Sequence, residues 1–389
     1  MSSSLLNKFG RRIRWGMVGG GIDSLIGETH RLSARVDDRY ELIAGALSID
    51  PLIAKKTAEL CLINNDRSYE DFQMMAENES QREDGIEVVT IATPPHLHFE
   101  IAKIFLAKGI SVICEKPITK NLSEALELKQ IVEKSKCLFA LTHCYTGYPM
   151  VREAREKVKN GAIGQIRQIQ CDFVSGPFMV EEKDIRKKHW RFKPEYMGKE
   201  TILGEIGTHA YNLATFVTLE KPLRVSANLR VLTYGRQTYD DGQLVFEYSN
   251  GRLGRMWLSF VAAGNEHGLS FKIHGTEGSL EWSQEQPESL YLRSPSNAEQ
   301  RITPGFPERM SVGGYHACRL REGHPEGYVL AFANLYRDFA DKFISKKIGV
   351  ENTSGHFPDI YDGVETMKFY DAASRSNQND GAWVPISKI

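Results

Sequence analysis

The chain has 389 residues, 41% hydrophobic and 25% charged, and its 49 basic and 50 acidic residues leave a formal net charge of −1. That composition is globular and long enough for two domains. It has neither the basic stripe of a nucleic-acid groove nor the acidic block of a disordered tail, so the expected partner is a small molecule. No apolar secretory segment opens the chain and no run of about 18 apolar residues follows, so no membrane association is expected. The six cysteines show no C-x-x-C pair or zinc-like spacing, which points to reduced thiols and a cytoplasmic protein.

In chain order, residues 13–18 form a β-rich run that ends in Gly19-Gly20-Gly21, the opening of a βαβ unit. A helix is predicted over residues 27–36, a strand over 40–47 and a further helix from Pro51. Near-continuous apolar runs at 86–91, 111–114 and 137–142 read as buried parallel strands, with a helix over 99–108 ending at Gly109. Strands alternating with helices make residues 1–145 a doubly wound Rossmann sheet. Beyond residue 145 the pattern changes. A helix at 149–160 precedes strand-like segments at 166–173, 224–232, 242–248, 254–260, 269–274 and 279–282, separated by turns such as Ser249-Asn250-Gly251. Helices follow at 325–346 and 360–374, and residues 284–321 read as a long excursion of little periodicity. Residues 146–389 therefore read as an α+β domain with a large, mainly antiparallel open sheet.

Glycines between a strand and a helix let the backbone approach a pyrophosphate, so Gly19, Gly20 and Gly21 are candidate dinucleotide ligands. A strict G-x-G-x-x-G would need glycine at position 24, where Ser24 stands; the next glycine is Gly27. The second strand ends Leu47-Ser48-Ile49-Asp50. Asp50 could reach the adenosine ribose, and the neutral Ser48 with Lys55 and Lys56 nearby leaves room for a 2′-phosphate. Ser48 and Asp50 could equally cap the next helix. NAD and NADP both stay open.

Three further segments carry a family resemblance. Thr93-Pro94-Pro95-His96-Leu97-His98 and Glu115-Lys116-Pro117 each follow a strand, and Gly204-Glu205-Ile206-Gly207-Thr208-His209 lies in a helical stretch. With them the chain resembles the glucose–fructose oxidoreductase/inositol dehydrogenase/MocA family (Gfo/Idh/MocA) over nearly its whole length. Pro95 stands where that family more often has asparagine, and Glu205 where it usually has aspartate. The resemblance implies an NAD(P)-dependent dehydrogenase acting on a secondary alcohol of a sugar, sugar derivative or cyclitol. It places Thr93, Pro94, His98, Glu115 and Lys116 around the cofactor, with Lys116 bonded to the reacting hydroxyl. His209 becomes the acid/base, oriented by Glu205. The residues agree in their own terms. Lys116 sits beyond the carboxyl end of a strand, where open α/β sheets bind ligands. Glu205 and His209, four apart, share one face of a predicted helix, and imidazole suits removal of a hydroxyl proton.

Tyr145, Trp190, Arg191 and His324 are candidate substrate contacts that could equally serve as turn, cap or packing residues. Eleven histidines invite a metal, but no HExxH occurs and His96 and His98 are only two apart, so none is expected. Two alternative functions remain: transient oxidation in glycoside cleavage or epimerisation, and a non-catalytic dinucleotide sensor. Alternating apolar residues at 253–261 and 270–274 suit a homodimer or homotetramer built on the sheet's outer face.

Overall fold

The computed structural model describes residues 2–176, 192–351 and 355–386. The chain divides into two compact units, Met1–Gly147 with Tyr328–Val364, and Tyr148–Gly327 with Glu365–Ile389.

After a short helix α1 (Ser2–Phe9), the first unit runs β1 (Ile13–Gly19), α2 (Leu25–Val36), β2 (Tyr40–Ala46), α3 (Pro51–Leu60), α4 (Phe72–Gln81), β3 (Val88–Ala92), α5 (His98–Ala107), β4 (Ser111–Cys114), α6 (Leu122–Ser135) and β5 (Phe139–Leu141). All pairings are parallel, in the order β2-β1-β3-β4-β5. Every residue of β3 and β4 is buried, which is why these strands read as unbroken apolar runs rather than alternations. Helix starts are set locally: Ser24, Asp50, Asp71 and Asn121 each accept a backbone N–H from the first turn that follows.

The second unit opens with α7 (Pro149–Lys159) and β6 (Ile166–Val174). It continues through α8 (Pro194–Met197), a π-helical turn (Leu203–Gly207) that runs into α9 (Thr208–Thr218), then β7 (Arg224–Arg230), β8 (Asp241–Glu247), β9 (Leu253–Ser259), β10 (Gly268–Gly275), β11 (Ser279–Ser283), β12 (Leu290–Ser294), β13 (Asn297–Ile302) and α10 (Val312–His316). The nine-stranded sheet has the order β13-β12-β11-β10-β6-β9-β8-β7-β14, with β14 at Val384–Pro385. Within this sheet only β6 and β9 pair in parallel among the described residues. Strict alternation puts Leu244, Phe246, Met256 and Leu258 on the buried face, while Val245, Leu253 and Trp257 on the other are exposed.

The excursion expected at 284–321 is instead the end of this sheet, formed by β12 and β13, followed by α10. Its strands were hidden because β13 is an edge strand exposed at five of six positions. With no buried face it has no apolar period to read.

Two helices complete the chain, α11 (Gly327–Ile348) and α12 (Ile360–Gln378). Most of α11 belongs to the first unit, so the linear division at 145/146 is interrupted by a return. Buried polar contacts hold α11 there: Arg39 pairs with Asp341, Tyr40 Oη donates to the Tyr336 carbonyl at 2.7 Å, and Asn334 Nδ2 donates to the Gly147 carbonyl at 2.8 Å. No helix among the described residues is long and apolar enough to cross a membrane.

Candidate active site

The glycine loop after β1 has the shape a dinucleotide needs. Gly19 has φ +75°, and a Cβ there would lie 2.6 Å from the Ala92 carbonyl oxygen. Gly27, three residues later than the strict spacing requires, does the packing work of the third glycine. A Cβ on it would stand 2.3 Å from the Gly20 carbonyl oxygen, so only glycine lets α2 approach the loop this closely. The Arg31 guanidinium bonds that same carbonyl oxygen and fixes the loop from behind. Thr93 Oγ1 is buried with no hydrogen-bond partner among the described residues, an acceptor and donor left for a ligand beside the half-buried Pro94. These features fit a bound dinucleotide.

At the end of β2 the capping role is seen directly. Asp50 Oδ1 accepts the Leu52 and Ile53 N–H groups at 2.9 and 3.2 Å, and Ser48 Oγ accepts the Asp50 N–H at 3.1 Å. Capping uses one carboxylate oxygen, and Asp50 itself is exposed.

Beyond β4, Lys116 is half-buried and joined to Pro117 by a cis peptide bond. Glu115 is buried beneath it. Its Oε2 accepts the Lys116 backbone N–H at 3.3 Å, Thr142 donates to its Oε1, and His30 Nε2 lies 3.2 Å from Oε1. Burial alone would raise the Glu115 pKa, but His30, the Lys116 charge and Thr142 override it and bring it to about 2. The carboxylate is therefore ionised at neutral pH. His143 is also buried, and burial with the nearby Lys116 charge lowers its pKa to about 3, which keeps it neutral. His98, expected at the cofactor, lies between two loops of the first unit. Its Nδ1 and Nε2 lie 2.8 Å from the Pro117 and Thr93 carbonyl oxygens, so this fully buried ring ties the Thr93 loop to the Lys116 loop. Tyr145 is buried, its ring 6.2 Å from that of Tyr328.

In the second unit, Glu205 and His209 are both buried, at 8% and 7% exposure. The local structure differs from the regular helix expected. The Thr208 N–H bonds the Leu203 carbonyl five residues back, so Glu205 sits inside a π turn and His209 in the first turn of α9. Such bulges recur at functional sites because they re-aim side chains without breaking the helix. The His209 ring lies 6.4 Å from that of Phe173, and the exposed His267 meets Phe173 edge-on at 4.8 Å. Asn212, one turn on from His209, is buried with its Oδ1 unbonded among the described residues. Phe173, His267 and Asn212 escaped the sequence reading. Phe173 and His267 are brought together by pairing of β6 with β10, where Phe173 faces Leu269, and no local spacing announces that. Trp190 and Arg191 lie outside the described residues. His324 is exposed, its Nδ1 3.2 Å from the Glu322 carbonyl oxygen. Among the described residues no group of three or more His, Cys, Asp or Glu side chains could hold a metal.

The first unit thus pairs a parallel sheet with a nucleotide-shaped loop, and the second has a mainly antiparallel sheet with Glu205 and His209 buried on the π turn and α9. Residues 13–143 match an oxidoreductase family with an NAD-binding Rossmann fold, and residues 151–281 match the GFO/IDH/MocA C-terminal domain. The chain belongs to the Gfo/Idh/MocA oxidoreductase family. It is 31% identical to the uncharacterized oxidoreductase YfiI of Bacillus subtilis over 96% of each chain. It is 26% identical to levoglucosan dehydrogenase of Pseudarthrobacter phenanthrenivorans, covering 96% of this chain and 98% of the other. An inositol dehydrogenase homologue of Azotobacter vinelandii, solved with NADH and myo-inositol, superposes with a TM-score of 0.89 at 30% identity, covering 97% of this chain and 98% of the other.

Proposed function

We propose that this protein is an NAD-dependent dehydrogenase that oxidises a secondary alcohol of a cyclitol or sugar. The observation that carries this reading is that a chain of this family retains both Lys116 after β4 and a buried Glu205–His209 segment on a π turn. Gly19 to Gly21, Thr93 and Asp50 would hold the dinucleotide, which supplies the hydride acceptor. Asp50 keeps a carboxylate oxygen for the ribose, and that negative charge favours NAD over a 2′-phosphorylated cofactor.

His209 takes the hydroxyl proton as the carbinol carbon is oxidised. Lys116 donates a hydrogen bond to the same oxygen and stabilises the charge that develops there. Glu205 is a positioning residue that orients the imidazole. Phe173, almost fully buried with its ring 6.4 Å from that of His209, backs the imidazole from the protein side. Cyclitol and anhydrosugar substrates are favoured by the relatives named for inositol and levoglucosan.

The test is a panel of inositols, levoglucosan, aldoses and open-chain polyols, each with NAD+ and with NADP+, followed at the reduced-nicotinamide absorbance. Turnover with NAD+ and a cyclic polyol is expected, and His209→Ala should lower it about 10²–10⁴-fold. A silent panel, or a His209→Ala protein with native turnover, would remove the assignment.

A further inference from the structure

Behind Lys116 the first unit buries a line of polar side chains that a parallel sheet could replace with apolar ones. Trp15 Nε1–H donates to Thr90 Oγ1 at 2.9 Å, the Thr90 and Tyr336 hydroxyls are 2.9 Å apart, and the Tyr336 hydroxyl is 2.7 Å from His30 Nδ1. His30 Nε2 then lies 3.2 Å from Glu115 Oε1, a close electrostatic contact without hydrogen-bond geometry. Trp15, His30, Thr90 and Tyr336 are each no more than 2% exposed.

The chemistry of the two ends gives this line a direction. A carboxylate only accepts, so the tautomer that suits Glu115 places the His30 proton on Nε2, and in that tautomer Nδ1 takes the Tyr336 proton. The Tyr336 oxygen then accepts from Thr90, whose own oxygen accepts from the donor-only indole. Every donor in the line therefore points toward Glu115, the residue that bonds the Lys116 backbone. Buried polar chains of this kind are less stabilising than apolar packing unless every member is satisfied, but they fix a side chain in one orientation. Aromatic contacts brace the line. The Tyr336 ring stands edge-on to those of Trp15, Tyr40 and His30, at 6.0, 5.3 and 5.9 Å.

We propose that His30 and Tyr336 are positioning residues that fix the Glu115 carboxylate and, through it, the Lys116 side chain for reaction. The proposal rests on the reading of Lys116 given above. Neither residue touches substrate, so their whole effect on turnover passes through Lys116.

A double-mutant cycle in the full-length protein, with NAD+ and the polyol turned over fastest in the panel, tests this. With Lys116 present, His30→Leu and Tyr336→Phe, the latter losing only a hydroxyl and keeping its ring, each lower kcat about tenfold. In a Lys116→Met background the same changes alter kcat by under about twofold, because the group through which they act is gone. His30→Gln, whose amide still donates toward Glu115, recovers most of the loss. Equal losses in both backgrounds, or His30→Gln as slow as His30→Leu, overturn the positioning role in favour of plain packing. Native turnover in Lys116→Met alone, or no turnover anywhere in the panel, overturns the underlying reading of Lys116 instead.

Discussion

Glu115 and Glu288 are two carboxylates that burial pushes in the same direction and whose neighbours decide the outcome. At Glu115 the His30, Lys116 and Thr142 contacts win, and the ionised form is favoured. At Glu288 burial is opposed only by two long bonds from the Gly327 and Glu326 N–H groups, 3.3 Å each, while the Glu326 charge adds to it, so the pKa is raised. A carboxyl whose folded pKa is raised contributes stability that is complete below its unfolded pKa and is lost as pH rises through the folded value. Glu288→Gln copies the protonated form and keeps an oxygen for both N–H groups. Its thermal midpoint should match the native one near about pH 4 and exceed it at about pH 8. A difference that stays constant across that range in calorimetry would contradict this account. At this scale the sequence is readable where chemistry is local. Glu115 and Lys116 are legible as a tripeptide with Pro117, whereas His30 and Tyr336 are 306 positions apart and meet only after folding.

Elements show the same division between what periodicity reveals and what packing decides. The parallel strands are legible because burial on both faces, complete in β3, β4 and β5, leaves mainly apolar residues. β13 is not, because it buries almost nothing. The π turn at Leu203–Gly207 reads as ordinary helix, since adding one residue to a turn leaves the composition of the stretch unchanged. The glycine loop looks stretched when counted against a fixed spacing, but Gly27 restores its logic by letting α2 close on Gly20. The neighbours of a Cβ at position 27 are the Gly20 carbonyl oxygen, Cα and carbonyl carbon at 2.3, 2.5 and 2.6 Å, all backbone and unable to turn aside. Gly27→Ala should therefore displace α2 and weaken NADH binding about tenfold or more, by the same sensitivity of bound geometry to shifts of about 1 Å. Fluorescence titration with NADH measures this, and native affinity in the variant would show that the loop tolerates the shift.

For the whole molecule, the change of pattern near residue 145 marks where the chain leaves the first unit, at Gly147/Tyr148. Nothing in the sequence marks the return at Tyr328, because α11 reads as one more helix. Its membership is written in contacts: the Asp341 partner of Arg39, and Tyr336, whose hydroxyl meets His30 and Thr90. A fragment ending at residue 147 would lack α11, so Arg39, Tyr40 and His30 would lose their partners Asp341 and Tyr336, and the apolar surface under α11 would meet water. Residues 1–147 alone should show no cooperative thermal transition by circular dichroism and no NADH binding. The same fragment joined by a short glycine-rich linker to 328–364 should recover both. A stable, NADH-binding 1–147 fragment would mean that α11 is dispensable.

The interrupted layout of the first unit also sets an order of events on the ribosome. Residues 148–327 are translated between its two parts, which at ordinary synthesis rates takes roughly 10–40 s. For most of that interval the nascent nucleotide half has β1 to β5 outside the exit tunnel but lacks α11, with the places for Tyr336 and Asp341 open to any passing chain. The newborn protein is therefore most vulnerable in its first-made half, and chaperone capture should centre on the surface that α11 later covers.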